Sequence, residues 1–216
     1  MNTIIRKNSA FIIPFVLLWS ALALILVLFT KSEIHLFLNQ FHSEFFDWFF
    51  RLITHLGDGL FLTFVAVFYL FISFRRALTL GLAGILTALF IQMLKRGVYD
   101  QALRPKAYFE GLSSLYLVPG VEVHEYYSFP SGHTATAFCL FFLLAVFISH
   151  KSAQVLLFLT FILVAYSRVY LSQHFLVDIY FGALTGLITA FLGISILNKA
   201  KWPWLDQSIL SLIRKP

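Results

Sequence analysis

Phe129-Pro130-Ser131-Gly132-His133-Thr134-Ala135-Thr136 closes a polar loop and runs directly into an uninterrupted apolar segment, residues 137–149. The apolar segment reads as a membrane-embedded helix, and the tetrapeptide Pro130 to His133 reads as its N-terminus. Proline stops the preceding chain and suits the first position of a helix. Ser131 is a capping residue, and Gly132 lets another group approach the backbone closely. The free N–H groups of a helix start, together with the helix dipole, favour an oxyanion. An imidazole at that place, His133, is suited to handing a proton to whatever leaves the anion. The same four residues also describe an ordinary capped turn, so the reading depends on what else in the chain converges on them.

The 216 residues are 60% hydrophobic and 12% charged, a charge content about half that of soluble proteins. Several apolar runs are long enough to cross a bilayer. The expected architecture is all-α, a polytopic six-transmembrane-helix bundle forming a single domain over residues 1–216. The net charge of +6 does not point to nucleic acid, because in such a chain Lys and Arg mark the cytoplasmic side. Cys139 is the single cysteine and lies within an apolar run, so it reads as core filling rather than as a reactive thiol. Arg6 and Lys7 followed by an apolar segment resemble a signal peptide. That segment is long, however, and Leu28-Phe29-Thr30 is not a small-residue cleavage site, so it reads as a retained first span.

The six spans are expected at residues 10–30, 60–74, 77–94, 133–149, 154–171 and 174–197. Residues 31–59 alternate aromatics with charges and read as an amphipathic stretch lying in the interface, with His35, His42 and His55 as interfacial rather than catalytic groups. Asp58 between two glycines reads as a turn. The tail, with Trp202 and Trp204, suits the aromatic belt, and residues 204–213 suit a short surface helix. Gly182 and Gly186 form a small-xxx-small pair for close helix packing.

Six spans place both termini on one side with Arg6, Lys7, Arg75, Arg76, Lys151, Lys199, Lys201, Arg214 and Lys215. The other side carries Lys31, Arg51, Lys95, Arg96, Arg104, Lys106 and Arg168. Five of these seven cluster around the loop after the third span and the end of the fifth. If they serve an anion, the background favours cytoplasmic termini and outward-facing polar loops.

Three polar groups then share one membrane face: Lys95 with Arg104-Pro105, Pro130 to His133, and Ser167-Arg168 with His174 and Asp178. His174 and Asp178 have i,i+4 spacing and so share a helix face. A carboxylate there can fix the imidazole tautomer and leave the other ring nitrogen free to attack. The bland alternative is a His–Asp contact that tightens the bundle. An ionisable side chain about one turn inside a span marks function by default.

This arrangement resembles the type 2 phosphatidic acid phosphatase superfamily, membrane lipid phosphatases related to acid phosphatases and vanadium haloperoxidases. The second family motif is present unchanged at Pro130 to His133, and the third in full at Ser167, Arg168, His174 and Asp178. The first departs. Eight residues separate Lys95 from Arg104, whereas the family's usual spacer points to Gly97, and Arg96 is the next nearest cation. The resemblance implies that His174 is the nucleophile, Asp178 its orienting partner and His133 the acid and then base. It further implies that Lys95, Arg104 and Arg168, with the Ser131 hydroxyl and the Gly132 N–H, hold the phosphate oxygens. Three cations and no His/Cys or acidic cluster suggest neither a metal nor another cofactor.

The resulting expectation is a lipid phosphate or diphosphate hydrolase in a bacterial inner membrane. Its site would face the periplasm, its partners being the bilayer and a lipid phosphate, with no nucleic acid and no obligate protein partner. Undecaprenyl diphosphate, phosphatidylglycerol phosphate, phosphatidic acid and lipid A phosphates all fit. A lipid-to-lipid phosphotransferase of the same fold is the alternative. A non-enzymatic transporter would spread its ionisable residues through the depth of the bundle instead. Glu122, His124 and Glu125 read as a solvated loop or as the outer mouth of the site.

Overall fold

A computed structural model describes residues 6–213. Arg214 and Lys215, used in the topology reading, lie outside the described residues. The described residues are mostly helical, with no strand among them. The helices are α1 (Ser9–Leu28), α2 (Lys31–Leu38), α3 (Glu44–Ile53), α4 (Gly59–Leu70) and α5 (Phe74–Gly97). They continue with α6 (Pro105–Tyr108), α7 (Gly132–Phe147), α8 (Lys151–Tyr170), α9 (Leu176–Lys199) and α10 (Ile209–Ile213). Single 3₁₀ turns cover Thr54–Gly57 and Pro203–Asp206.

The apolar run after His133 forms the middle of the bundle. A helix apolar on all sides must be surrounded, and α7 packs against α9, α8 and α5. Ala137, Phe138, Cys139, Leu140, Phe142, Leu143 and Ala145 are all wholly buried. The core role of Cys139 is therefore met. The other helices bury a face inward and turn Leu17, Val27, Leu60, Phe64, Leu89 and Leu156 outward, the surface a bilayer covers. Helix α1 is peripheral and is fastened by Phe11, whose ring meets Phe138, Phe142 and Phe158 at 5.5–5.7 Å between centroids. In mid-bundle the hydroxyls of Thr87 and Thr189 pair at 2.7 Å and join α5 to α9, a polar link of the kind that ties membrane helices together.

Gly182 and Gly186 act as expected. A Cβ on Gly182 would stand 2.6 Å from the Ser131 carbonyl oxygen, and one on Gly186 would collide with the Ala135 carbonyl oxygen. Only glycine lets α9 lie this close to α7, and that closeness sets the separation of the two motifs at their tops.

Four helices, α1, α5, α8 and α9, are long and apolar enough to cross a membrane. The number rises to five if the bent pair Glu44–Gly57 and Gly59–Leu70 counts as one span. Helix α7, with 16 residues, is about 24 Å long, short of a hydrocarbon core of about 30 Å. All six expected spans are helical, but their number as full crossings is four or five by length, not six.

The interfacial reading of residues 31–59 needs correction. Helix α3 and its 3₁₀ turn bend by 54° at Asp58 into α4 and bury Asp47, Phe50, Thr54 and Gly57 against the bundle. His35 is also inside, 1% exposed, beside Ser172. The aromatic-rich pattern failed because a polar residue of the stretch, Asp47, is satisfied by partners far along the chain. Tyr116 and Tyr170 each donate to Asp47, at 2.7 and 2.6 Å. The tail is two short pieces, Pro203–Asp206 and α10, rather than one helix. Arg75 fastens this tail by donating to Asp206 and to the carbonyls of Leu197 and Ala200.

Candidate active site

At the end of the bundle opposite that fastening, a cleft of about 540 Å³ opens between α3, α5, α7, α8 and the loops that join them. Lys95, Arg104, Gly132, His133, Arg168 and His174 all line it. Members of the three sequence groups, far apart in the chain, thus meet at one face.

Each side chain is placed by local structure. Lys95 lies on the last turn of α5 and is 8% exposed. Its Nζ donates to the Tyr127 carbonyl at 2.5 Å. The neighbouring Arg96 is exposed and does not line the cleft, so of the two candidates Lys95 is the one that borders it. Arg104 is held from three directions: Nε to the Tyr126 carbonyl at 2.9 Å, Nη1 to the Gln173 side chain at 2.7 Å, and its own N–H to the Glu125 carbonyl. Arg168 lies in the last turn of α8 and donates to the Thr54 hydroxyl at 2.6 Å, while its buried Nε has no hydrogen-bond partner among the described residues. A buried donor left unpaired is costly, and this one belongs to a guanidinium that borders the cleft.

Ser131 caps α7. Its Oγ accepts from the Thr134 N–H at 3.3 Å and from the Thr134 hydroxyl at 2.9 Å. It is wholly buried and is not among the residues lining the cleft, so the capping role is the one the geometry displays. Gly132 and His133 follow at the cleft wall. The tetrapeptide is tied to α9 by the Ser131 N–H donating to the Asp178 carbonyl at 3.0 Å.

His174 precedes α9 and is 1% exposed. Burial, reinforced by Arg104, Lys95 and Arg168, pulls its pKa well below the ordinary imidazole value, so the ring is neutral near pH 7. Asp178 stands 3.4 Å from its Nδ1, but the alignment falls short of a hydrogen bond. The carboxylate is instead held by the Ser128 hydroxyl at 2.5 Å and the Phe175 N–H at 2.9 Å. The ion sits against the imidazole, and these two donors offset its burial.

Residues 76–202 match the family model for the PAP2 superfamily. The chain belongs to the PAP2 superfamily. Two solved structures share its fold. The crystal structure of Aquifex aeolicus LpxE is 27% identical, with a TM-score of 0.67, over 76% of this chain and 94% of that one. The transmembrane PAP2 type phosphatidylglycerolphosphate phosphatase from Bacillus subtilis is 27% identical, with a TM-score of 0.63, over 90% and 98%. No curated protein sequence matches significantly. This PAP2 protein is an integral membrane phosphatase, a phosphoric ester hydrolase.

The PAP2 cleft contains residues outside the three motifs. Asp58 contacts His133 Nε2 through Oδ1 at 2.6 Å, although its Gly-Asp-Gly setting reads as a turn. Thr54, His55, Gln92, Glu122, His124 and Gln173 also border the cleft. The one available signal was the placement of Asp58 and His55 three residues apart immediately before an apolar run. Pairing with His133, 75 residues later in the chain, leaves no local trace.

Proposed function

We propose that this PAP2 phosphatase hydrolyses the phosphate monoester or diphosphate of a membrane lipid through a phosphohistidine on His174. One observation carries the reading. A buried neutral imidazole, a second imidazole and three buried cations border one cleft at the end of an apolar bundle. Phosphoryl transfer has a loose transition state, so positioning and charge neutralisation do most of the catalysis. Lys95, Arg104 and Arg168, with the Gly132 N–H at the start of α7, are assigned to the phosphoryl oxygens, and Ser131 is left as the cap of that helix.

Because Nδ1 of His174 faces Asp178, the lone pair on Nε2 attacks phosphorus. The bond to the leaving oxygen breaks, and that oxygen takes a proton from His133. Water then attacks the phosphorylated nitrogen's phosphorus and gives its proton to His133. The P–N bond breaks, and its electrons return to His174. Both histidines end as they began.

The substrate is a lipid because the cleft meets the membrane surface, where a headgroup lies while its chains stay in the bilayer. The Bacillus subtilis relative, named for phosphatidylglycerolphosphate, supports including that lipid among the candidates. The whole chain, residues 1–216, acts as one catalytic unit in a bacterial inner membrane with the cleft on the periplasmic side. Described cations at the opposite end, including Arg75, Arg76, Lys151 and Lys199, support that orientation. The test is phosphate release by purified protein from undecaprenyl diphosphate, phosphatidylglycerol phosphate, phosphatidic acid and a lipid A phosphate. Release from at least one is expected, and release from none with His174 intact would contradict the reading.

A further inference from the structure

Asp58 lies in none of the three motifs, yet it touches a histidine of the second. It follows the 3₁₀ turn Thr54–Gly57 and opens α4 at the 54° break. Its two oxygens have separate partners: Oδ1 is 2.6 Å from His133 Nε2, and Oδ2 is 2.9 Å from His55 Nδ1. The approach is built into the backbone. A Cβ on Gly57 would stand 2.8 Å from Val164 Cγ1, 3.0 Å from the His133 carbonyl and 3.3 Å from His133 Cβ. The chain therefore runs directly against His133 one residue before the carboxylate.

The charges around His133 give this contact a purpose. Burial first, and then Arg168 and Arg104, act against a positive charge on the ring, whereas Asp58 favours one, and His174 with Lys95 shares the cleft. Asp178 is placed beside His174, on the other histidine. Among the described residues, Asp58 is the carboxylate in contact with His133. A general acid must be protonated before the leaving oxygen departs, and two guanidiniums alone would oppose that state.

We propose that Asp58 is the positioning residue of the acid–base histidine: it accepts the Nε2–H of His133, leaves Nδ1 as the proton-transferring atom, and offsets Arg168 and Arg104, while His55 holds its second oxygen. The inference rests on the reading of His133 as general acid. In the first step the Nδ1 proton passes to the leaving oxygen as its bond to phosphorus breaks, while Nε2–H stays on the ring against Asp58. In the second step Nδ1 takes a proton from the attacking water. The proton count closes over the cycle, with no exchange through Asp58.

The experiment compares wild type with Asp58→Asn, Asp58→Glu, His55→Gln and His133→Ala. Two probes are used, a short-chain alkyl lipid phosphate and 4-nitrophenyl phosphate, whose leaving oxygen needs little protonation. General acid catalysis is worth about 10²–10⁴-fold, so losing its orienting carboxylate is expected to cost about 10–100-fold in kcat on the alkyl substrate. The loss on the aryl substrate is expected to be much smaller. The alkyl-to-aryl ratio, taken on one preparation, cancels any change in folded fraction. In Asp58→Asn the alkaline limb of the pH profile moves to lower pH, because His133 loses its counter-charge and deprotonates earlier. Asp58→Glu is expected to move the limb back. His55→Gln, at a position whose side chain is 70% exposed, shifts ratio and limb less, in the same direction, and carries the test if Asp58→Asn does not fold. Equal losses on both probes, an unmoved limb, or a gain of activity would overturn the role of Asp58. If His133→Ala itself shows no preference between the leaving groups, the reading of His133 falls, and this inference with it.

Discussion

Replacing Gly182 by alanine tests whether the contact between α7 and α9 sets the active geometry. The new Cβ would lie 2.6 Å from the Ser131 carbonyl oxygen, 3.2 Å from Thr134 Cβ and 3.4 Å from Ser131 Cβ. None of these is a flexible side-chain end. The Ser131 carbonyl is fixed by the Ala135 N–H at 3.1 Å, and the Ser131 N–H is committed to the Asp178 carbonyl at 3.0 Å. Restoring an ordinary contact near 3.4 Å means moving α9 outward by about 0.8 Å. His174 and Asp178 travel with the start of α9, whereas Gly132 and His133 stay with α7. Constellations of this kind tolerate about 0.5 Å, and a 1 Å misplacement costs on the order of 10²-fold. We expect kcat to fall about 10–100-fold with overpacking that costs about 1–3 kcal/mol of stability. Phosphate release and thermal unfolding of the same sample measure both. Gly81→Ala is the control, because a Cβ there meets nothing within 4 Å. A folded Gly182→Ala protein within about twofold of wild-type activity would refute the reasoning.

The other expectations are briefer. His174 must be neutral to attack. Burial and three cations pull its pKa below the ordinary value of 6.5, so the acid limb of kcat/KM against pH is expected below that value; a limb centred above pH 7 would contradict it. With three buried cations at the cleft, activity is expected to survive EDTA and to be blocked by vanadate, a mimic of pentacoordinate phosphorus; loss in EDTA that a divalent ion restores would count against this. Ser113 lies exposed in the loop on the cleft side, so a cysteine placed there is expected to react with an impermeant thiol reagent on intact cells. Labelling only after permeabilisation would invert the orientation.

How much was legible depended on whether a residue's partner is near in sequence. The tetrapeptide at 130–133 and the His174–Asp178 pair are local patterns, and the bundle brings them together once α7 is buried all round. The first group was half legible: Arg104 was clear, but Lys95 and Arg96 are adjacent and differ only in which side of α5 faces the cleft. Ser128, which holds Asp178, and Asp58, which contacts His133, were illegible because each pairs with a residue at least 50 positions away. Residues 31–59 misled for a related reason. Their polar groups suggested water, whereas Asp47 is satisfied inside by two tyrosines and His42.

The measurement closest to the central claim is the site of covalent phosphate in protein quenched during turnover without acid. Peptide mass spectrometry on wild type is expected to find phosphate on His174, and His174→Ala is expected to show neither the adduct nor turnover. Phosphate on His133, or full turnover with no phosphohistidine in either wild type or His174→Ala, would contradict the account.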